Sequence, residues 1–177
     1  MLHPTASVYL ANIKQEYRRY KSLGERAIGQ LSDDQLNMQI DGEDNSVAMI
    51  VRHMVGNMKS RFTDFLTTDG EKPWRHRDRE FDRVILSRTK ALEIWEEGWR
   101  VVFQAVDDLR PEELDRKVFI RNEPHTIIQA LNRQLGHYAY HVGQIVFLAK
   151  SLTSKRWQSL SIPKGASEAF NQEKFGE

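Results

Sequence analysis

The 177-residue sequence contains no cysteine. This absence excludes disulfide bonds, thiolate metal ligands and a cysteine nucleophile, so any bound metal is held by histidine, aspartate, glutamate or backbone groups. An excess of charge is also lacking, because 26 Lys and Arg residues are balanced by 25 Asp and Glu residues, for a net charge of +1. Nucleic-acid-binding domains usually carry a clear basic excess, so we expect no nucleic-acid partner.

Long apolar runs are absent as well. The longest ones, Val47 to Val51 and Ile145 to Ala149, are far shorter than the roughly 20 residues that cross a bilayer. The first ten residues, MLHPTASVYL, lack the basic segment and following apolar stretch of a secretory signal. We therefore expect no membrane partner, a cytoplasmic location and a single domain over residues 1–177, because one domain typically takes about 100–200 residues.

Apolar residues recur at steps of three and four in four segments, which is the pattern of amphipathic helices. They predict helices over about residues 5–30, 46–66, 78–109 and 124–152. Ser32 and Gln35 form a capping-box pattern that predicts a further short helix, and 117–121 is compatible with one short strand or an extended loop. Four such helices in one domain predict an all-α four-helix bundle with long inter-helix connections. The apolar C-terminal tail beyond Leu152 is expected to pack on the bundle.

Histidines carry the strongest chemical signal. His137 and His141 are four residues apart on the fourth predicted helix, so their imidazoles lie on one face, one turn apart. His53 lies beside the apolar stripe of the second helix, as His141 does on the fourth. Together the three residues are candidate ligands of an open metal site that water or substrate completes. A second reading stays open, because a histidine at a helix edge is usually a surface or hydrogen-bonded residue.

Other polar and aromatic residues are weaker candidates. Asn57 and Asp64 follow His53 on the same helix face and are candidate hydrogen-bond acceptors for a metal-bound imidazole. Asp64 is also the nearest candidate for a general base. Trp74, an aromatic residue in a polar loop, needs a partner surface and could cover a cleft between helices.

Two further groups of residues are expected to face solvent. One consists of the histidines near termini and loops, namely His3, His76 and His125. The other is a basic segment in which acidic residues alternate, so that a solvated charged loop is expected rather than an anion site. It comprises Lys72, Arg75, Arg77 and Arg79, interleaved with Glu71, Asp78 and Glu80.

Four stretches of the chain carry a family resemblance. They are NS followed by VRHM at 45–54, FLTTDGEKPW at 65–74, RQLGHYAYHVGQI at 133–145 and LSIPKG at 160–165. Together they resemble the DinB/YfiT-like superfamily of metal-dependent four-helix-bundle proteins, in particular a branch of unknown function. The resemblance covers nearly the whole chain. It implies the DinB/YfiT-like bundle fold and a divalent metal, zinc or nickel, bound by one histidine of the second helix and an HxxxH pair of the fourth. These positions are His53, His137 and His141, and all three are present.

The resemblance also implies a function and an oligomeric state. Some members of the superfamily transfer thiols such as bacillithiol, others are assigned to hydrolysis, and homodimers are common among them. Three neutral histidines leave the charge of the ion, about +2, on the site, which favours an anion such as thiolate or hydroxide. We therefore expect a metal-dependent S-transferase that uses an external low-molecular-weight thiol on a small electrophilic substrate. The alternatives are a metal-dependent hydrolase and a non-catalytic metal- or ligand-binding stress protein.

Overall fold

Four long helices enclose the core of the computed structural model, which describes residues 4–176. Helix α1 (Pro4–Ile28) and helix α3 (Val47–Phe62) each pack against both α4 (Arg88–Asp107) and α5 (Ile127–Thr153). Two shorter α-helices, α2 (Asp33–Asn37) and α6 (Ser167–Phe175), three short 3₁₀ helices and an antiparallel pair of strands complete the helical and strand elements of these residues. The all-α class is therefore confirmed, with one small hairpin added. None of the helices in this part of the chain is long and apolar enough to cross a membrane.

Side-chain caps define where the helices begin. Ser32 and Gln35 form the predicted capping box of α2, and Ser46 accepts a hydrogen bond from a backbone amide in the first turn of α3. Ser87 and Thr126 do the same for α4 and α5. Each such cap is worth about 1 kcal/mol because it satisfies an amide that has no partner within the helix.

The predicted helix over 78–109 is wrong in its first third, because α4 begins at Arg88. Asn37 explains the difference. Its side chain donates to the carbonyl of Leu86 and accepts from the amide of the same residue, so these groups are not available to a helix. Ile85, which fits the helical spacing, is 68% exposed. The segment before it forms a short 3₁₀ turn, Arg77–Phe81, and this turn lies next to α3.

The region predicted as one strand or an extended loop is a β-hairpin. Strand β1 (Lys117–Ile120) pairs with β2 (Glu123–Thr126) in antiparallel register, so the predicted start of the last helix at about residue 124 is strand instead. Arg121 and Asn122 form the turn with φ angles of 54° and 60°. A two-residue turn of this kind needs positive φ at both positions. The carboxylate of Asp69 stabilises this turn by accepting hydrogen bonds from the backbone amides of Arg121 and Asn122, at 2.9 and 2.7 Å.

The C-terminal tail packs on the bundle only in its first part. Trp157 and Leu160 contact the core, and Gln30, two residues after the end of α1, exchanges hydrogen bonds with the backbone of Gln158. Helix α6 has no buried residue, and Phe170 is 39% exposed. The expectation that the whole apolar tail covers the bundle is therefore confirmed up to Leu160 and wrong for Phe170, because the helix that carries Phe170 makes little contact with the long helices.

Candidate metal centre

The three predicted histidines meet between two helices. His53 comes from α3, and His137 and His141 come from successive turns of α5. One ring nitrogen of each lies within 4.8 Å of those of the other two, and the ring centroids are 4.6 to 5.3 Å apart. His53 is buried, whereas the other two are partly buried. The tertiary structure thus brings together all three residues that the sequence singles out.

The closest pair has a separation that suits a shared metal ion. Nε2 of His53 lies 3.2 Å from Nε2 of His137. Two nitrogens bound at 2.0–2.1 Å to one tetrahedral zinc ion lie roughly 3.3–3.4 Å apart. The three imidazoles therefore fit a divalent ion that accepts nitrogen ligands. Nδ1 of His137, on the other side of its ring, is buried without a hydrogen-bond partner in the described part of the chain, so no acceptor fixes the orientation of this ring.

A buried carboxylate orients His53. Oε2 of Glu80 lies 2.9 Å from Nδ1 of His53, which places the hydrogen on Nδ1 and leaves the Nε2 lone pair free in the neutral ring. Arg75 donates two hydrogen bonds to the same carboxylate, at 2.8 and 2.9 Å. A metal-bound imidazole usually has such a carboxylate behind it, because the contact fixes the ring and raises its basicity.

Electrostatics keeps this carboxylate charged. Burial by itself raises the pKa of Glu80, but the hydrogen bond from His53 and the contacts with Arg75 outweigh it and bring the pKa below the ordinary value. Gly56 on α3 provides the space, because a methyl group there would overlap the Glu80 side chain. The chain is thus shaped around a charged group directly behind His53.

The two histidines of α5 are held in the neutral form, which is the form that can bind a metal ion. Burial lowers the pKa of His137 to about 3, and neighbouring His141, His53 and Arg75 add to the effect. Burial also lowers the pKa of His141, although the contact with Gln144 opposes the shift. Nδ1 of His141 lies 2.8 Å from Oε1 of Gln144, which leaves Nε2 of that ring free. Both imidazole rings are therefore uncharged at neutral pH.

The loop between α3 and α4 is not the solvated charged segment that its composition suggests. Lys72, Arg75 and Glu80 are buried, whereas Arg77 and Arg79 are exposed as expected. The burial is tolerated because the charges pair with one another, and Lys72 donates to Thr68 and to a loop carbonyl. Sequence reasoning missed Glu80 because the alternating charges look the same whether they face solvent or each other.

Three other predictions for the site differ in outcome. Asn57 is buried and lines the cavity beside the histidines, but its Oδ1 accepts no hydrogen bond from the described residues, so it is not the predicted histidine partner. Asp64 is exposed and lies beyond the end of α3, with a φ of 49°, so it is neither a histidine partner nor a base at this site. The helical spacing that placed it near His53 fails because α3 ends at Phe62. Trp74 is 52% exposed and does not line the cavity, so the expectation that it covers a cleft at this site is wrong.

The remaining histidines are not part of the cluster. His76 is exposed, as predicted. His125 is only partly exposed, with Nδ1 3.0 Å from the carbonyl of Glu123 and Nε2 3.2 Å from Arg133. The prediction for His3 concerns a residue outside the described part of the chain.

A cavity of about 500 Å³ opens beside the cluster. Its lining is polar and includes three histidines, two asparagines and two glutamines, together with several arginines and two aromatic residues. A volume of this size is in the range of small-molecule sites. The histidines of α3 and α5 thus face a space that a small molecule can enter.

Comparison with known proteins gives a family but no activity. A family model described as a protein of unknown function, DUF1572, matches residues 4–166. The chain belongs to this family. Searches of curated proteins and of solved structures gave no match. The DUF1572 match spans all three histidines and the loop that carries Glu80.

Proposed function

We propose that this DUF1572 protein binds one divalent metal ion, zinc or nickel, through His53, His137 and His141. The observation that carries the proposal is the hydrogen bond that His53 donates to Glu80, because a buried charged carboxylate has a clear role behind a metal-bound imidazole. We also propose that the chain is a four-helix bundle of the DinB/YfiT-like type. The mutual packing of α1, α3, α4 and α5 supports this assignment.

The activity that we propose is thiol S-transfer to a small electrophile. A bound divalent ion supplies a deprotonated thiol or water at neutral pH. Because the chain has no cysteine, the thiol is an external low-molecular-weight compound. His53 and the two histidines of α5 would provide three ligands of the metal ion. The cavity of about 500 Å³ has room for the thiol and the electrophile.

One observation favours thiol transfer over hydrolysis. Hydrolysis is assisted by a group that accepts a proton from the bound water, but none of the described residues that line the cavity is an aspartate or glutamate. Glu80 is close, yet its two oxygens are engaged by His53 and Arg75. A metal-bound thiol is a stronger acid than metal-bound water, so it depends less on such a base. A hydrolase and a non-catalytic metal-binding protein remain the alternatives that the experiments must separate.

Metal analysis tests the first part of the proposal. Purified protein is expected to bind about one zinc or nickel ion per chain, and His137→Ala or His141→Ala should abolish the binding. His76→Ala is the matched control, because this exposed histidine does not line the cavity. Equal metal content in His76→Ala and His137→Ala would refute the three-histidine site.

Conjugation assays test the activity. Metal-loaded protein is mixed with the electrophile monochlorobimane and with bacillithiol, glutathione or coenzyme A in turn. S-transfer predicts a metal-dependent rate with at least one thiol, and the rate should disappear in His137→Ala but not in His76→Ala. A flat result with every thiol, in protein that does bind metal, would favour the hydrolase or the binding protein. Sedimentation analysis of the same sample tests the homodimer that we propose.

A further inference from the structure

The cavity beside the histidines has an unusual charge. Five arginines line it, and no lining residue among those described is acidic. They are Arg61, Arg75, Arg77, Arg121 and Arg133. Among the residues that the structure describes, three carboxylates lie near their guanidinium groups, those of Glu71, Asp78 and Glu80. Two positive charges are therefore left over at the cavity, although the whole chain is nearly neutral.

Arg133 is one of the cations without a carboxylate partner in the described part of the chain. It precedes His137 by four residues on α5, so it lies on the same helix face, one turn away. Its Nη1 is 3.2 Å from Nε2 of His125, whose Nδ1 lies 3.0 Å from the carbonyl of Glu123. His125 thus accepts a hydrogen bond from Arg133 and orients it, while the other donors of the guanidinium stay free for a ligand.

Arg121 reaches the cavity from the hairpin turn. Its backbone has a φ of 54°, a conformation that costs a residue with a Cβ about 1–3 kcal/mol and is often found at functional sites. Asp69 holds the turn by accepting hydrogen bonds from its two backbone amides. Nε of Arg121 donates to Glu71 at 3.0 Å, a carboxylate that also accepts from Arg61. One carboxylate is thus shared by two cations.

Buried polar atoms without partners lie at the same cavity. Nε of Arg61, Oδ1 of Asn57 and Oε1 of Gln134 are all buried and make no hydrogen bond to described residues. Arg61 and Asn57 are each only 6% exposed and Gln134 is 3% exposed. All three residues line the cavity. Native proteins leave few such atoms unsatisfied. Nε of Arg61 lacks an acceptor, whereas the two amide oxygens lack donors, so among the three only the Arg61 atom matches an anionic group.

We propose that the small molecule bound in this cavity carries at least two negative charges, as phosphate or carboxylate groups, which Arg121 and Arg133 bind. The inference rests on the proposed function, since it names the substrate class of that site. Arg75 is not counted among the binding groups, because Glu80 already occupies it. In this arrangement the reactive part of the ligand lies near His137. Its anionic groups lie near the side chains of Arg133 on α5 and Arg121 on the hairpin turn.

Calorimetric titration of metal-free protein tests the inference without chelation effects. The probes are pyrophosphate and succinate, with the diamine putrescine as the oppositely charged control. We expect both anions to bind and putrescine not to bind. Raising the salt from about 20 to about 200 mM should weaken the binding, because partly exposed charges are screened. Arg121→Gln and Arg133→Gln should each lower the pyrophosphate affinity about tenfold or more, as expected for a lost hydrogen bond to a charged group.

Arg100→Gln is the matched control. It removes one positive charge from an exposed position of α4 that does not line the cavity, so the pyrophosphate affinity should stay within about twofold of the parent. Equal losses in Arg100→Gln and Arg133→Gln, or no binding of either anion by the parent protein, would overturn the inference. Circular dichroism of each variant confirms that the fold is retained.

His137→Ala separates the two proposals. This variant should lose the metal but keep most of its affinity for pyrophosphate, because Arg121 and Arg133 are unchanged. Arginine-dependent anion binding by a parent protein that binds no metal would refute the proposed function and support the inference. Metal binding without arginine-dependent anion binding would do the reverse.

Discussion

Glu80→Gln is the most direct perturbation of the site, because it removes one charge and almost no volume. The carboxylate accepts three hydrogen bonds, one from His53 and two from Arg75, at 2.8 to 2.9 Å. A glutamine has a single acceptor oxygen, and its amide nitrogen cannot accept. At least one donor then loses its partner, and the Arg75 side chain, which is 2% exposed, keeps only the Glu71 carboxylate, 4.0 Å from its Nη1.

The size of the effect follows from this geometry. Removing one partner of a buried ion pair costs about 3–5 kcal/mol. Taking about 3 kcal/mol and a shift of 2–4 °C per kcal/mol for a chain of this length, the melting temperature should fall by roughly 6–12 °C. Loss of the carboxylate behind a metal-bound histidine lowers metal affinity by about 10–100-fold. Both effects should therefore appear in one variant.

Two measurements on the same samples check this prediction. Competition with a chromophoric chelator gives the zinc affinity, and thermal unfolding of the metal-free protein gives the melting temperature. Glu93→Gln is the control, because Glu93 is 56% exposed in its ion pair with Lys90 and such pairs contribute about 1 kcal/mol or less. The reasoning would be refuted by a Glu80→Gln protein with unchanged zinc affinity and the melting temperature of Glu93→Gln.

Three further predictions concern the groups around the site. Gly56→Ala should lower zinc affinity and melting temperature as Glu80→Gln does, because the added methyl group displaces the Glu80 carboxylate; similar values for Gly56→Ala and the parent protein would contradict this. Between pH 6.5 and 3 the unfolded chain binds a proton at His137 that the folded, metal-free chain does not. Its free energy of unfolding should therefore fall with falling pH by up to about 1.4 kcal/mol per unit, with a shallower slope in His137→Gln, and denaturant titrations at several pH values would show it. Asp69→Ala frees both amides of the hairpin turn, so proteolysis near Arg121 should become faster, and an unchanged cleavage rate would show that the turn does not need the carboxylate.

Local patterns predicted most of the helical structure. Apolar spacing indicated α1, α3, α4 and α5, and the capping box of Ser32 marked α2 correctly. These features depend on interactions within a few residues, which a single sequence records directly. Boundaries were predicted less well. The start of α4 depends on Asn37, 49 residues from the Leu86 backbone that it binds, and no local pattern reveals such a contact.

The site was predicted in part for the same reason. His137 and His141 share a helix, so their proximity follows from a spacing of four residues. His53 was linked to them by its position at the edge of a stripe and by a family resemblance. Glu80 lies 27 residues from His53 in sequence, in a loop whose charges looked solvated. Asp64 was placed near the site by a helix that in fact ends before it.

By itself, the sequence determined the helical class, the absence of a thiol and the presence of three imidazoles at the edges of two apolar stripes. Only the tertiary structure decided which charges are buried together. Burial makes a charge costly unless a partner is close, and the partners here come from separate elements. Arg75 and Glu80 meet behind His53, and five arginines from α3, the loop, the hairpin turn and α5 surround one cavity. The near-neutral total charge of the chain conceals this local excess, because charge balance is a sum over the sequence whereas binding depends on where the charges lie.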